Sequence, residues 1–204
     1  MKKLINVIFV ILLAGIINAQ TADEVVQEIQ TKFSTINDLK ANFIQTIYSS
    51  EKKKPTILTG KFYFKKDNSL RIEVKDRLIV SNGVTVWNFN KSTNKVIISK
   101  YDNDYTNFSL PEIINSYPDM CDKEIVERKP GVTEIKLTPK DDRLNFKSVL
   151  ISVDKNDVIT KVEITDFNNM KFVFELDSVQ LNNKLSGQLF NFEPSEGVEV
   201  IDLR

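Results

Sequence analysis

From residue 39 to residue 181 the chain keeps almost to one texture: short stretches of alternating apolar and polar residues, cut by clusters of turn-forming residues. A period of two marks strands with one buried face, and turns this short join antiparallel neighbours. The alternation predicts strands over 39–48, 56–65, 70–75, 78–80, 84–89, 95–100, 123–128, 133–138, 146–153, 159–165 and 170–181. Between them stand Lys66-Asp67-Asn68-Ser69, Asn82-Gly83, Lys91-Ser92-Thr93-Asn94, Pro130-Gly131, Asp154-Lys155-Asn156-Asp157 and Asn168-Asn169. So many hairpin-joined strands without βαβ alternation imply a mainly β fold. The expected form is a single curved antiparallel sheet making an incomplete, half-open β-barrel. Inside it, Leu78 to Asn90 reads as one hairpin turning at Ser81-Asn82-Gly83, with Val84, Val86 and Asn88 on one face and Thr85, Trp87 and Phe89 on the other.

Two stretches change to helical spacing. Thr21-Ala22-Asp23-Glu24 has the form of a capping box, and Val25, Val26, Ile29, Phe33 and Ile36 then recur as one apolar stripe. This N-terminal helix lies on something apolar. The stretch between residues 100 and 123 is too long for a hairpin loop. Ser109 to Glu112 forms a second capping box, Pro111 suits a first helical turn, and Pro118 is expected to stop the helix. So short a helix, carrying Leu110, Ile113, Ile114 and Tyr117, must dock on apolar surface, and it belongs to the parts of a fold that open readily.

Composition removes most other readings. The chain has 204 residues, 41% hydrophobic and 27% charged, enough for one domain with a sizeable core. Lys+Arg 28 against Asp+Glu 28 leaves no field for a nucleic-acid backbone, so no nucleic acid is expected as a partner. There is no His and one Cys, which removes imidazole acid–base chemistry, the Ser-His and Cys-His pairs and the ordinary zinc sets. No catalytic residue, metal ligand or cofactor is expected. Paired carboxylates would be the enzyme alternative, but Asp141-Asp142 and the acids of 154–157 lie in turn sequences and read as solvated loops.

Residues 1–19 read as a cleaved signal peptide, with an uncleaved membrane anchor as the alternative: a basic Lys2-Lys3 start, an apolar run from Leu4 to Ile17, and Ala19 before the cut. Residues 20–204 are then the exported chain, without a Cys at its start to carry a lipid. Cys121 has no partner for a disulfide and reads as a small buried apolar residue.

Several segments together resemble the outer-membrane lipoprotein carrier (LolA-like) family. Leu78 to Asn90 is similar to its V-S-x-G and W-x-aromatic-N signature, Leu137-Thr138-Pro139-Lys140 to its L-T-P-K, and 190–202 to its closing F-x-F-x-P-x-x-G-V-x-V-x-D. Asn42-Phe43-Ile44-Gln45 and Gly60-Lys61-Phe62 match two further segments in the family's order. The resemblance implies a periplasmic, monomeric carrier whose half-barrel, covered by helices, holds the acyl chains of a lipoprotein without doing chemistry. It implies acylated lipoproteins as cargo, an inner-membrane lipoprotein-releasing ABC transporter as donor and an outer-membrane acceptor. A lipid or lipoprotein sensor of the same half-barrel type, or a carrier paralogue for another acylated product, would share every motif.

The apolar stripes supply the lining expected on that view. Phe43, Phe62, Phe64, Ile72, Trp87 and Phe89 are the candidates from the sheet, with Ile29, Phe33, Leu110, Ile113 and Ile114 from the helices. Many members of the family carry an Arg-Pro or Lys-Pro pair after the strand that follows G-x-F, the Arg latching the lid. Lys66-Asp67 stands there in this chain, so Lys66 and Arg71 are the candidate latches, and a Lys lacks the planar fork of a guanidinium.

Overall fold

Residues 20–49, 51–101 and 110–204 are described by the computed structural model of the chain. The expected signal peptide and the Ser109 cap fall outside the described residues. The first helix begins where the sequence places it. Thr21 accepts from the Glu24 N–H while the Glu24 carboxylate accepts from the Thr21 N–H at 2.7 Å, and α1 runs over Ala22–Ser34 with Val25, Val26 and Ile29 buried.

The strands follow as β1 (Asp38–Tyr48), β2 (Thr56–Lys65), β3 (Ser69–Val74), β4 (Arg77–Asn82), β5 (Thr85–Asn90) and β6 (Lys95–Lys100). After them come α2 (Leu110–Asn115) and α3 (Tyr117–Met120), then β7 (Cys121–Lys129), β8 (Val132–Pro139), β9 (Ser148–Asp154), β10 (Ile159–Thr165), β11 (Lys171–Leu181) and β12 (Glu199–Asp202). All belong to one sheet in the order β12-β6-β5-β4-β3-β2-β1-β11-β10-β9-β8-β7. The long β1–β11 pair sits at its centre, and β7 and β12 are open edges. Every pairing is antiparallel except β12 on β6, where the returning C-terminus adds a parallel strand.

Two local expectations are corrected, the first being the hairpin turn expected at Ser81-Asn82-Gly83: Ser81 and Asn82 belong to β4. At the β4–β5 turn only Gly83 takes a positive φ, +81°. Asn82 stays at the strand end, where its Oδ1 accepts from the N–H groups of Val84 and Thr85. A Cβ on Gly83 would also stand 2.5 Å from the Asp67 carbonyl of the adjoining turn, so a larger residue is barred twice over. Pro118 does not end the helical region. It occupies the first turn of α3, where its missing N–H is no loss.

The main core lies between the helices and the β7–β10 half of the sheet. It joins Val25, Val26, Ile29, Ile113 and Ile114 to Ile135, Leu137, Val149, Ile151, Val153, Val162 and Ile164. A second cluster of Ile36, Leu39, Ala41 and Phe64 continues it under the C-terminal end of α1.

Candidate functional site

The face of the sheet that carries the helices is identified by register. Ala41 pairs with Phe62, Phe62 with Ile72, Ile72 with Ile79, Ile79 with Asn88, and Asn88 with Ile97, so these six point to one face. It is the face of Leu39 and Phe64, whose cluster contains Phe33 of α1, and the Phe33 and Phe64 rings stack with centroids 5.6 Å apart. Phe43 lies on it too, opposite Gly60. Gly60 is required there, since a Cβ would stand 2.1 Å from the Glu73 carbonyl oxygen and 2.8 Å from the Phe43 ring.

This inner face has two unlike halves. Over β7–β10 it is filled by α1, α2 and α3. Over β2–β6 it is a mainly apolar wall, broken by Ser81, Asn88 and Ser99 and only partly covered by described residues: Phe62, Ile72, Ile79 and Val86 are half-buried, Leu58 is 39% exposed and Ile97 42%. At the junction, Ile29, Phe33, Ile36, Leu39, Leu110, Ile114, Ile159 and Leu176, together with Lys32, Asp157 and Val158, line a half-open cavity of about 20 Å³. An apolar cavity of roughly 150 Å³ takes a benzene ring, so this one admits no hydrocarbon chain unless the helices shift.

The sheet residues expected to line one cavity therefore divide. Phe43, Phe62, Phe64 and Ile72 share the inner face, with Ile29 and Phe33 of α1 and Leu110, Ile113 and Ile114 of α2 against the same core. Trp87 and Phe89 do not join them. Trp87 pairs with Val80, Val80 with Arg71 and Arg71 with Tyr63, which puts all four on the outer face. That face has a small core of its own, with Val80 and Val96 fully buried, Phe190 1% exposed, and the Phe89 and Phe192 rings 5.3 Å apart.

The two candidate latches part in the same way. Lys66 Nζ donates to the Ser34 carbonyl at 2.8 Å, at the negative end of the α1 dipole, so it holds the C-terminal end of the covering helix. Arg71 is not near the helices. Its guanidinium donates to Glu73 at 2.6 Å and to the Leu189 carbonyl at 3.1 Å, tying the C-terminal segment to the outer face.

Sequence reasoning missed two further ties. Lys123 of β7 pairs with Asp23 in the first turn of α1 at 2.8 Å and donates to the Pro118 carbonyl at 3.2 Å. Gln30 donates to the Ile114 carbonyl, joining α1 to α2. Nothing in a lone Lys or Gln signals such a role. Ile79, Val86 and Ile97 were missed as well, because the register of each hairpin, and with it the face each stripe takes, is not written in the alternation.

The electrostatics of the site are those of packing. Burial pushes the Cys121 thiol up from its ordinary value, and burial followed by the nearby Glu112 does the same to the Tyr101 phenol. Among the described residues no group of three or more His, Cys, Asp or Glu side chains is placed to hold a metal ion.

Comparison with known proteins gives three likenesses. The model of the family described as "Outer membrane lipoprotein carrier protein LolA" matches residues 34–193. The outer-membrane lipoprotein carrier protein of Haemophilus influenzae is 27% identical over 207 aligned positions, covering 100% of this chain and 99% of that one. The carrier of Serratia proteamaculans is 26% identical, with 100% of both chains covered. Among solved structures, an uncharacterized conserved protein from Thermus thermophilus shares the fold at a TM-score of 0.57 and 13% identity, over 89% of this chain and 98% of its own.

Proposed function

The chain belongs to the outer-membrane lipoprotein carrier family, and from that premise we propose that it holds the acyl chains of lipoproteins against its inner face and carries them from the inner to the outer membrane. The observation that carries this reading is the open apolar wall of Phe62, Ile72, Ile79, Val86 and Ile97 beside a half that short helices cover. No bond is made or broken. At roughly 0.8 kcal/mol per methylene, one long acyl chain in water costs on the order of 10 kcal/mol, so a carrier must shield most of each chain.

The cover suits loading and release. With six residues in α2 and four in α3, neither helix is stable alone, for isolated helices need roughly 12–15 residues even when rich in Ala. Their place over the core rests on apolar docking and a few polar ties. A chain entering from the open wall would displace α2, whose Leu110 and Ile114 line the 20 Å³ cavity. Lys66 would hold the far end of α1 through a single ammonium, a looser tie than a guanidinium fork would give. Residues 1–19 act on this reading as the export signal, and 20–204 work in the periplasm as a monomer. The cargo is an acylated lipoprotein, the donor an inner-membrane lipoprotein-releasing ABC transporter, and the destination an outer-membrane acceptor.

Site-specific photo-cross-linking in the exporting cell tests the proposal. A photoreactive residue at Ile72 should capture an acylated lipoprotein, and one at Trp87 should not. Depletion of the protein should leave lipoproteins at the inner membrane. Capture at Trp87 alone would put the site on the wrong face. Capture at Ile72 with an unchanged lipoprotein distribution after depletion would make the protein a sensor instead of a carrier.

A further inference from the structure

Three of the exposed apolar side chains gather at one end of the sheet, around a run of positive charge. Strands β1 and β2 form a long hairpin of 11 and 10 residues whose last pair is Ile47 with Thr56. Beyond that pair lies Ser49-Ser50-Glu51-Lys52-Lys53-Lys54-Pro55, in which all three lysines are exposed. Tyr48 is 48% exposed and Ile57 60%, and both point to the outer face, Ile57 opposite Thr46. On the neighbouring strand Tyr48 pairs with Lys171, so the turn before β11 lies at the same end, and its Phe167 is 54% exposed.

Acidic groups offset this charge only in part: Glu51 and Asp166 keep their negative charges beside the three lysines, and Glu163 is paired with Lys171 at 2.8 Å. Glu51 is the one carboxylate in the β1–β2 turn. The Asp166 carboxylate is taken up by the N–H groups of Asn168 and Met170 in its own turn. Lys52 Nζ donates to the Thr56 hydroxyl at 3.5 Å.

Three lysines on flexible stems among an exposed Tyr, Ile and Phe make a surface suited to the interface of an anionic bilayer. The ammonium groups meet lipid phosphates while the apolar side chains enter the headgroup boundary. An acidic protein surface would complement the lysines but would leave Ile57 and Phe167 without a partner. We infer that the tip formed by Lys52, Lys53, Lys54, Tyr48, Ile57 and Phe167 docks the protein on anionic membrane lipid. This goes beyond the carrier reading and does not depend on it, since the tip is separate from the inner wall.

Flotation of residues 20–204, which contain every described element, with vesicles of phosphatidylglycerol and phosphatidylethanolamine in equal parts tests the inference. Binding should be clear at low ionic strength, weaken at high salt, and be slight on phosphatidylcholine vesicles. Each lysine near an anionic surface contributes on the order of fivefold, so Lys52→Gln, Lys53→Gln and Lys54→Gln together should lower partitioning on the order of 100-fold. Ile57→Ser with Phe167→Ser should lower it severalfold without changing the thermal midpoint, both side chains being exposed. Ile72→Ser, on the inner face, should bind vesicles like the parent chain even if it loses acylated cargo. A parent chain that ignores anionic vesicles, or a triple variant that binds them equally well, overturns the inference. Indifference to vesicles with retention on immobilised polyglutamate would assign the tip to an acidic protein instead.

Discussion

The glycine and the tryptophan of the family-like segments act through sterics and packing. Gly60 leaves room for the Glu73 carbonyl and the Phe43 ring, so the G-x-F spacing reflects the close approach of β1, β2 and β3. Trp87, the chain's only Trp, shares the outer face with the residues that receive Phe190 and Phe192. Two family-like segments about a hundred positions apart in sequence thus pack on one another. Cys121, fully buried at the start of β7, titrates only with difficulty, because burial disfavours the thiolate. A thiol pKa raised in the fold adds stability that is present below the unfolded value of about 8.5 and is lost as pH rises through it toward the folded one. The expected result is a urea midpoint that declines in mildly alkaline buffer, with the decline flattened in Cys121→Val. In native protein the thiol should stay silent to Ellman's reagent and react on unfolding.

Among the elements, the C-terminal segment divides into a part the fold needs and a part it can spare. Phe190 sits in a short 3-10 turn at Gly187–Phe190, is 1% exposed, and is placed by the Arg71 bond to the Leu189 carbonyl. β12 has four residues, all exposed, on the edge of β6. Phe190→Ala should cost about 3–5 kcal/mol, as emptied aromatic sites do, and lower the denaturant midpoint sharply. Deleting 199–204 should move the thermal midpoint by only a few degrees, because it uncovers an edge and opens no core. An equal loss from both would mean that the parallel strand, and not the aromatic anchor, secures the segment.

Across the whole molecule stability is uneven, and the unevenness has a structural cause. β8, β9 and β10 pair over long registers and bury Ile135, Leu137, Val149, Ile151, Val153 and Val162. α2 and α3 meet that core through a few side chains, together with the Gln30 and Lys123 bonds to their carbonyls. Native-state hydrogen exchange should show the amides of α2 opening well below the global unfolding free energy while those of β9 track it. Equal protection in α2 and β9 would remove the proposed route for an acyl chain into the core.

What the sequence determined by itself was everything carried by local periodicity and turn chemistry. The eleven strands β1 to β11 fall within about two residues of their expected bounds, and α1 begins at its capping box, because each depends on residues close in the chain. That Phe62 and Phe64 share a face followed from alternation along one strand, while Phe43 and Ile72 join them through the register of β1 and β3 on β2. What only the tertiary structure decided was which side of the sheet each stripe serves. An apolar stripe at period two reads the same whether it faces a helix or a returning tail, so Trp87 and Phe89 went to the outer face without any local signal. The parallel addition of β12, the anchoring of Arg71 to Leu189 and the Lys123 tie to Asp23 are contacts between distant parts of the chain. They depend on how the sheet curls and where its ends return, and neither pattern nor propensity along the chain encodes that.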